Sequence, residues 1–231
     1  VSGPRIDRFH PRIRVQNEST VVSDAGLRRT LRALQTQIER DFAPAWGLTA
    51  RLELGPPHPR AMRVVIRDVS DEKGDLGYHF HEGFPVTYVF AKDDIEEYGE
   101  YTSTLSHELL EMIADPGVNL YADGFVRLAH GRERKAMIPY EVCDAVEENL
   151  YRIGGVLVSD FLLPEWFEPE HKGRSLTMDF LGVLRRPFEL APGGYTDAIV
   201  GKRYMTFWSK RQPKKHRHRM AARESTWRTK P

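Results

Sequence analysis

The residues best placed to do chemistry sit in one short stretch, 102–115, which reads TSTLSHELLEMIAD. At about 100° per residue, Thr104, His107, Glu108, Glu111 and Asp115 share a narrow stripe of a helix, and Leu105, Leu109, Leu110, Met112 and Ile113 fill most of the remainder. So apolar a cylinder belongs in a core. A buried helix that turns an imidazole and three carboxyls to one side needs positive charge there, because unpaired buried charge is expensive. His107 and Glu111 are four residues apart and stand one above the other, so both can reach a single divalent ion. Glu108 lies beside them, where it can take a proton from water.

The elements that must position this helix can be read from the chain before it. Ile13 and Val15 alternate with polar residues and predict a first strand. Ser23-Asp24 reads as an N-cap, followed by an amphipathic helix through Leu27, Leu31, Leu34, Ile38 and Phe42 that ends near Pro44 and Gly47. Residues 48–54 and 62–69 predict two further strands, the second more continuously apolar and therefore central. Residues 68–85 carry three glycines, two histidines and several acids, and read as a long functional loop. Residues 86–90 predict a fourth strand, then an acidic turn leads into the polar-striped helix, which Pro116-Gly117 stops. The order implies an α+β fold, a mixed sheet backed by two helices.

Beyond Pro116 the expectations are a hairpin in 119–128 turning at Asp123-Gly124, a helix or turn at 140–148, and a hairpin in 151–158 turning at Gly154-Gly155. The apolar run 161–167 should pack under the cleft, and 204–208 reads as a strand.

The five residues 107–111 have the form HExxE and resemble the HExxH motif of zincin metallopeptidases, with Glu111 in place of the second histidine. The words VVSDAG, DFAPAWG, LGYH, HELLEMIADP, YEVCDAVE and VSDFLLPEWF resemble a widespread bacterial family of zincin-like proteins, mostly of unassigned substrate. The resemblance implies a zincin-like domain in which the strand at 86–90 is the edge strand that aligns an extended peptide. It also implies a third, distal ligand. Glu141, 34 residues beyond His107, is the first choice, then Asp144, then His130. Asp115 lies about 12 Å up the helix axis from His107 and reads as a structural helix end instead.

One histidine with two carboxylates would carry more negative charge than a set with two histidines, and would acidify bound water less. Zn2+ is the expected ion, with Mn2+ or Ca2+ as alternatives. His79 or Tyr78 in the long loop, or Tyr140 beside Glu141, can supply the donor that stabilises an oxyanion. Cys143 reads as a small core residue.

Composition bounds the rest. No apolar run approaches a membrane span, no signal-peptide pattern precedes the first strand, and the single cysteine excludes an internal disulfide, which together favour a cytoplasmic address. The net charge of +1 hides an asymmetry: 11 of the 34 Lys and Arg but only one of the 33 acids fall in 202–231, so residues 1–201 carry −9. The expected organisation is one domain over 1–201, with its core at about 12–168, and a basic extension over 202–231. That extension is suited to nonspecific contact with nucleic acid or an acidic partner. Two functions follow from these features. One is a metal-dependent hydrolase of peptide or protein substrates. The other is a catalytically weak zincin-like module that uses its basic tail to join a larger assembly.

Overall fold

In β1 (Arg12–Asn17) the alternation holds, with Ile13 and Val15 wholly buried. The structure is a computed structural model that describes residues 11–59, 61–71, 76–81, 83–128, 131–171 and 176–209. β1 runs parallel to β2 (Arg51–Leu54) on one side and to β3 (Met62–Arg67) on the other. β3 pairs in parallel with β5 (Pro85–Phe90), and β5 pairs antiparallel with β4 (Gly77–His81), giving the order β2-β1-β3-β5-β4. The fold is α+β, with this mixed sheet backed by helices.

Helix α1 (Asp24–Thr36) begins at Ser23, whose hydroxyl accepts the Gly26 amide, and continues through a π turn (Gln37–Phe42) into α2 (Ala43–Trp46). The π turn points Gln37 into the core. Its carbonyl accepts the Ser106 hydroxyl at 2.7 Å and its amide donates to the Ser159 carbonyl at 2.8 Å, while the Ser159 amide donates to Ser106 Oγ at 3.0 Å. These bonds fix α4 (Thr102–Ala114) against α1 and against β9 (Val156–Ser159). Every residue of α4 from Thr104 to Ala114 is buried, as its apolar circumference requires. Its N-terminus is anchored by Glu100, whose carboxylate accepts the Thr102 and Ser103 amides at 2.6 and 3.0 Å.

Four expectations need correction. The edge strand is β4, and the strand at 86–90 lies inside the sheet between β3 and β4. β4 falls within the segment read as a loop because both of its faces are occupied: Gly77 and His79 turn towards α4, while Tyr78 and Phe80 stack with Tyr88 and Phe90 on the other side. The alternation of Tyr78 and Phe80 with His79 and His81 is there, but it spans only five residues in a stretch rich in glycine and acids. The acidic turn after β5 is a helix, α3 (Ala91–Tyr98). Asp123-Gly124 is no turn but the middle of β6 (Tyr121–Arg127), which pairs with β7 (Glu133–Pro139). Gly124 is there for space, since a Cβ would lie 2.4 Å from the Phe188 ring.

β6 and β7 form a second, antiparallel sheet with β10 (Tyr195–Val200) and β11 (Arg203–Trp208), in the order β11-β10-β7-β6. Gly201-Lys202, where the composition changes, is the turn of the β10–β11 hairpin, so residues 203–208 belong to the sheet. The rest of the basic extension, 210–231, lies outside the described residues. The Gly154-Gly155 hairpin joins β8 (Leu150–Ile153) to β9, with φ of 56° and 83° at the two glycines. No helix among the described residues is long and apolar enough to cross a membrane.

The irregular chain after β9 is organised by two buried carboxyls. Asp160 accepts the Phe161 and Leu181 amides, and Asp179 accepts those of Val183 and Leu184. Burial, then the adjacent Asp179, pushes the Asp160 carboxyl up to about 8 from its ordinary 3.8. A carboxyl whose folded pKa is raised holds a proton that the unfolded chain releases, so its stabilisation is complete below about pH 4 and is lost as the pH rises towards 8. In Asp160→Asn the side-chain carbonyl still accepts both amides without that proton. Its melting temperature should therefore gain on the wild type between pH 5 and 8 and differ from it by a constant amount above pH 9; melting temperatures that stay parallel across this range would refute the raised Asp160 pKa.

Candidate metal centre

Helix α4, strand β4 and the turns after β7 converge on one group of side chains. His107, Glu108 and Glu111 come from the buried stripe of α4; His79 comes from β4; Glu141, Cys143, Asp144 and Glu147 come from the segment around a 3-10 turn (Asp144–Val146). β4 can come close to α4 because it begins with Gly77: a Cβ there would lie 2.9 Å from Thr104 Cγ2 and 3.0 Å from Glu108 Cγ.

His107 Nε2 has Glu111 Oε1 at 3.2 Å and Asp144 Oδ1 at 3.3 Å, and Glu147 Oε2 lies 3.1 Å from its Nδ1. Nε2 is buried between these two carboxylates yet makes no hydrogen bond. Glu111 Oε1 accepts the Cys143 amide at 3.1 Å. On the other side, His79 Nδ1 bonds Glu108 Oε2 at 3.1 Å and lies 3.7 Å from Glu111 Oε2, while its Nε2 lies 3.6 Å from Glu141 Oε2. Three overlapping triads, His107/Glu111/Cys143, His79/Glu111/Glu141 and His107/Asp144/Glu147, each bring one ligand-capable atom per residue within 4.8 Å of the others. A tetrahedral ion with bonds of about 2.0–2.3 Å needs ligand atoms roughly 3.3–3.7 Å apart, so modest side-chain movement closes any of them on a metal. The cluster thus fits an HExxE-type metal-binding motif.

The electrostatics agree. Burial lowers the His79 imidazole, but Glu141, Glu108 and Glu111 outweigh it and raise it to about 10. Burial opposes the same effect at His107, where Glu111, Glu147 and Asp144 raise the ring well above its ordinary value. A field that holds protons so firmly on two buried imidazoles is also one that attracts a divalent cation. Burial pushes the Cys143 thiol well up, and it points at the His107 carbonyl at 3.7 Å.

Of the expected residues, His107, Glu108, Glu111, Glu141, Asp144 and His79 are gathered here. Glu141 and Asp144, read as rivals for one place, face different histidines. Tyr140 packs in an aromatic layer, its ring stacked on Phe167 at 4.3 Å and meeting Trp46 edge-on. Tyr78 bonds Asp71 on the far face of β4. Asp115 accepts the Asn119 and Leu120 amides and is the structural helix end expected. His130 lies outside the described residues.

Sequence reasoning missed Glu147, whose spacing of three from Asp144 was the available signal. It also missed Asp197 and Tyr204, brought in by the β10–β11 hairpin. The Tyr204 hydroxyl donates to Asp197 at 2.8 Å, and the charges of Glu141 and Asp144 add to the burial and Asp197 that raise its pKa. Nothing local in the sequence links these strands to the helix. A cleft of about 170 Å³ opens beside the cluster, lined by His107, Glu108, Gly77, Glu147, Tyr195 and Trp208 among others.

No family model, curated protein or solved structure matches this chain. What it does must be argued from the site itself.

The close approach at Gly77 yields a test of the assembly. Gly77→Ala should destabilise the fold by about 1–3 kcal/mol in urea titration, because the added methyl has only backbone and buried side chains to displace. An unchanged midpoint would mean that β4 and α4 are not in register as described.

Proposed function

We propose that the chain is a zincin-like metal-dependent hydrolase, a peptidase acting on an extended peptide. The observation that carries this reading is the orphaned His107 Nε2 between Glu111 and Asp144, with Glu108 on the same helix and an open cleft beside both. His107, Glu111 and Asp144 would hold the ion. Glu147 orients the His107 ring through Nδ1, the carboxylate-histidine arrangement that raises ligand basicity, and the Cys143 amide steadies Glu111. When bound, a divalent ion lowers the pKa of water towards neutrality and polarises a carbonyl group. Zn2+ is the leading ion; so carboxylate-rich a set also suits Mn2+, whereas Ca2+ prefers six to eight oxygens and has least use for an imidazole.

Glu108 is the proposed general base. The His79 Nδ1 bond holds its Oε2, which leaves the other oxygen to receive the proton from the attacking water. β4, the terminal strand of its sheet, offers backbone groups to an extended substrate laid along it. Asp94, Glu100, Glu147 and Glu148 line the cleft, which favours a substrate carrying positive charge near the scissile bond.

Glu108→Gln keeps the size and the bond to His79 while removing the base. Hydrolysis of a mixed-sequence peptide library should fall by about 10²–10⁴-fold, with metal content by elemental analysis unchanged. Full activity in this variant would exclude Glu108 as the base; loss of metal would make it a ligand instead. In the wild-type protein, a chelator should abolish hydrolysis and added Zn2+ or Mn2+ should restore it.

A further inference from the structure

Two histidines, not one, are buried against carboxylates, and Glu111 stands between them. Its Oε1 faces His107 Nε2 at 3.2 Å, and its Oε2 faces His79 Nδ1 at 3.7 Å. His79 is nearly closed off, with 8% of its side chain exposed, and Glu141 Oε2 approaches its Nε2 at 3.6 Å. The 3.6 Å between His79 Nε2 and Glu141 Oε2 is too long for a good hydrogen bond but matches the spacing of two ligands on one ion, while Glu111 Oε2 approaches the same ring from its Nδ1 side. One atom each of His79, Glu111 and Glu141 lies within 4.8 Å of the other two.

The two histidines are also placed alike. Each presents Nδ1 to an orienting carboxylate, Glu147 for His107 and Glu108 for His79, and each presents Nε2 to a carboxylate that can share a metal with it, Asp144 or Glu111 for His107 and Glu141 for His79. A histidine that ligates a metal through one nitrogen characteristically donates from the other to such a group. The charge count points the same way. Glu108, Glu111, Glu141, Asp144 and Glu147 crowd two imidazoles in a largely buried space, so one divalent ion leaves most of their negative charge uncompensated, while two nearly neutralise it.

We propose that His79, Glu141 and the second oxygen of Glu111 form a second divalent-cation site, with Glu111 bridging it to the ion on His107. This rests on the metal-centre reading above and extends it from one ion to a carboxylate-bridged pair. Such pairs stand about 3.5–4 Å apart and can hold both the attacking and the departing oxygen of a displacement. Zn2+ or Mn2+ suits a site of one imidazole and two carboxylates. A His79 that stays protonated beside Glu108 and Glu141 is the competing source of positive charge, and it would exclude the second ion.

The test is metal stoichiometry on the full chain, stripped with chelator and titrated with Mn2+ or Zn2+ by calorimetry and elemental analysis. The wild type should bind about two equivalents, and the Mn2+-loaded protein should show the broadened electron-paramagnetic-resonance signal of a coupled pair. His79→Gln and Glu141→Gln should each bind one equivalent with the six-line signal of an isolated ion, and their circular dichroism should show the fold retained. A wild type that saturates at one equivalent with an isolated-ion signal overturns the second site and leaves the single-metal reading standing. A wild type that binds none overturns both. Retention of two equivalents in His79→Gln and in Glu141→Gln would also overturn the assignment, since the second ion would then lie elsewhere.

Discussion

The arrangement turns on one carboxylate. Glu111 is 2% exposed, and its two oxygens face two different imidazoles while one of them also accepts a backbone amide. A carboxylate so far from water is tolerable only if its charge is met, and around it stand four more acids that need the same. The helix that carries Glu111 cannot turn it outwards, because the remainder of that helix is core. The fold therefore commits itself to placing positive charge at the centre of the molecule, whether as protons on His79 and His107 or as cations in their place.

Holding such a cluster demands a stiff surround. Gln37, Ser106 and Ser159 form a closed set of buried hydrogen bonds that ties α4 to its neighbours, and the π turn in the first long helix is what aims Gln37 into it. In front, Gly77 lets β4 lie against α4 closely enough for His79 to reach Glu108 and Glu111. From below, the Cys143 amide bonds Glu111 and so fixes the chain that carries Asp144 and Glu147. Each support is polar or depends on a missing side chain. Apolar packing alone would leave the carboxylates free to drift apart under their mutual repulsion.

Much of this was legible because the chemistry was concentrated in one helix. The stripe of α4, the Ser23 cap, the parallel strands β1 and β3 and the Gly154-Gly155 hairpin each follow from a periodicity or a local rule acting within a few residues. The misses share a cause too. β4 hides because its alternation of Tyr78 and Phe80 with His79 and His81 lasts only five residues and lies among glycines and acids that read as loop. Gly124 reads as a turn locally, but its reason is Phe188, 64 positions away. Tyr140 sits beside a site residue in sequence yet is claimed by Trp46 and Phe167. Glu147, Asp197 and Tyr204 enter through tertiary placement that no local pattern encodes.

The glutamate at 111 then looks different from the weakened histidine it first resembles. An imidazole at that position could offer one nitrogen to one neighbour and would leave the other to find a partner elsewhere. A carboxylate offers equivalent oxygens in two directions, and in this fold both directions are occupied by histidine. Taken alone with His107, the exchange adds negative charge and lessens the pull on bound water. Taken with His79 and Glu141, the same charge is shared between two imidazoles, and the residue becomes the joint of the cluster. The departure from HExxH and the histidine on the edge strand are two halves of one arrangement: the second oxygen of Glu111 is buried facing the His79 ring, as the first faces His107.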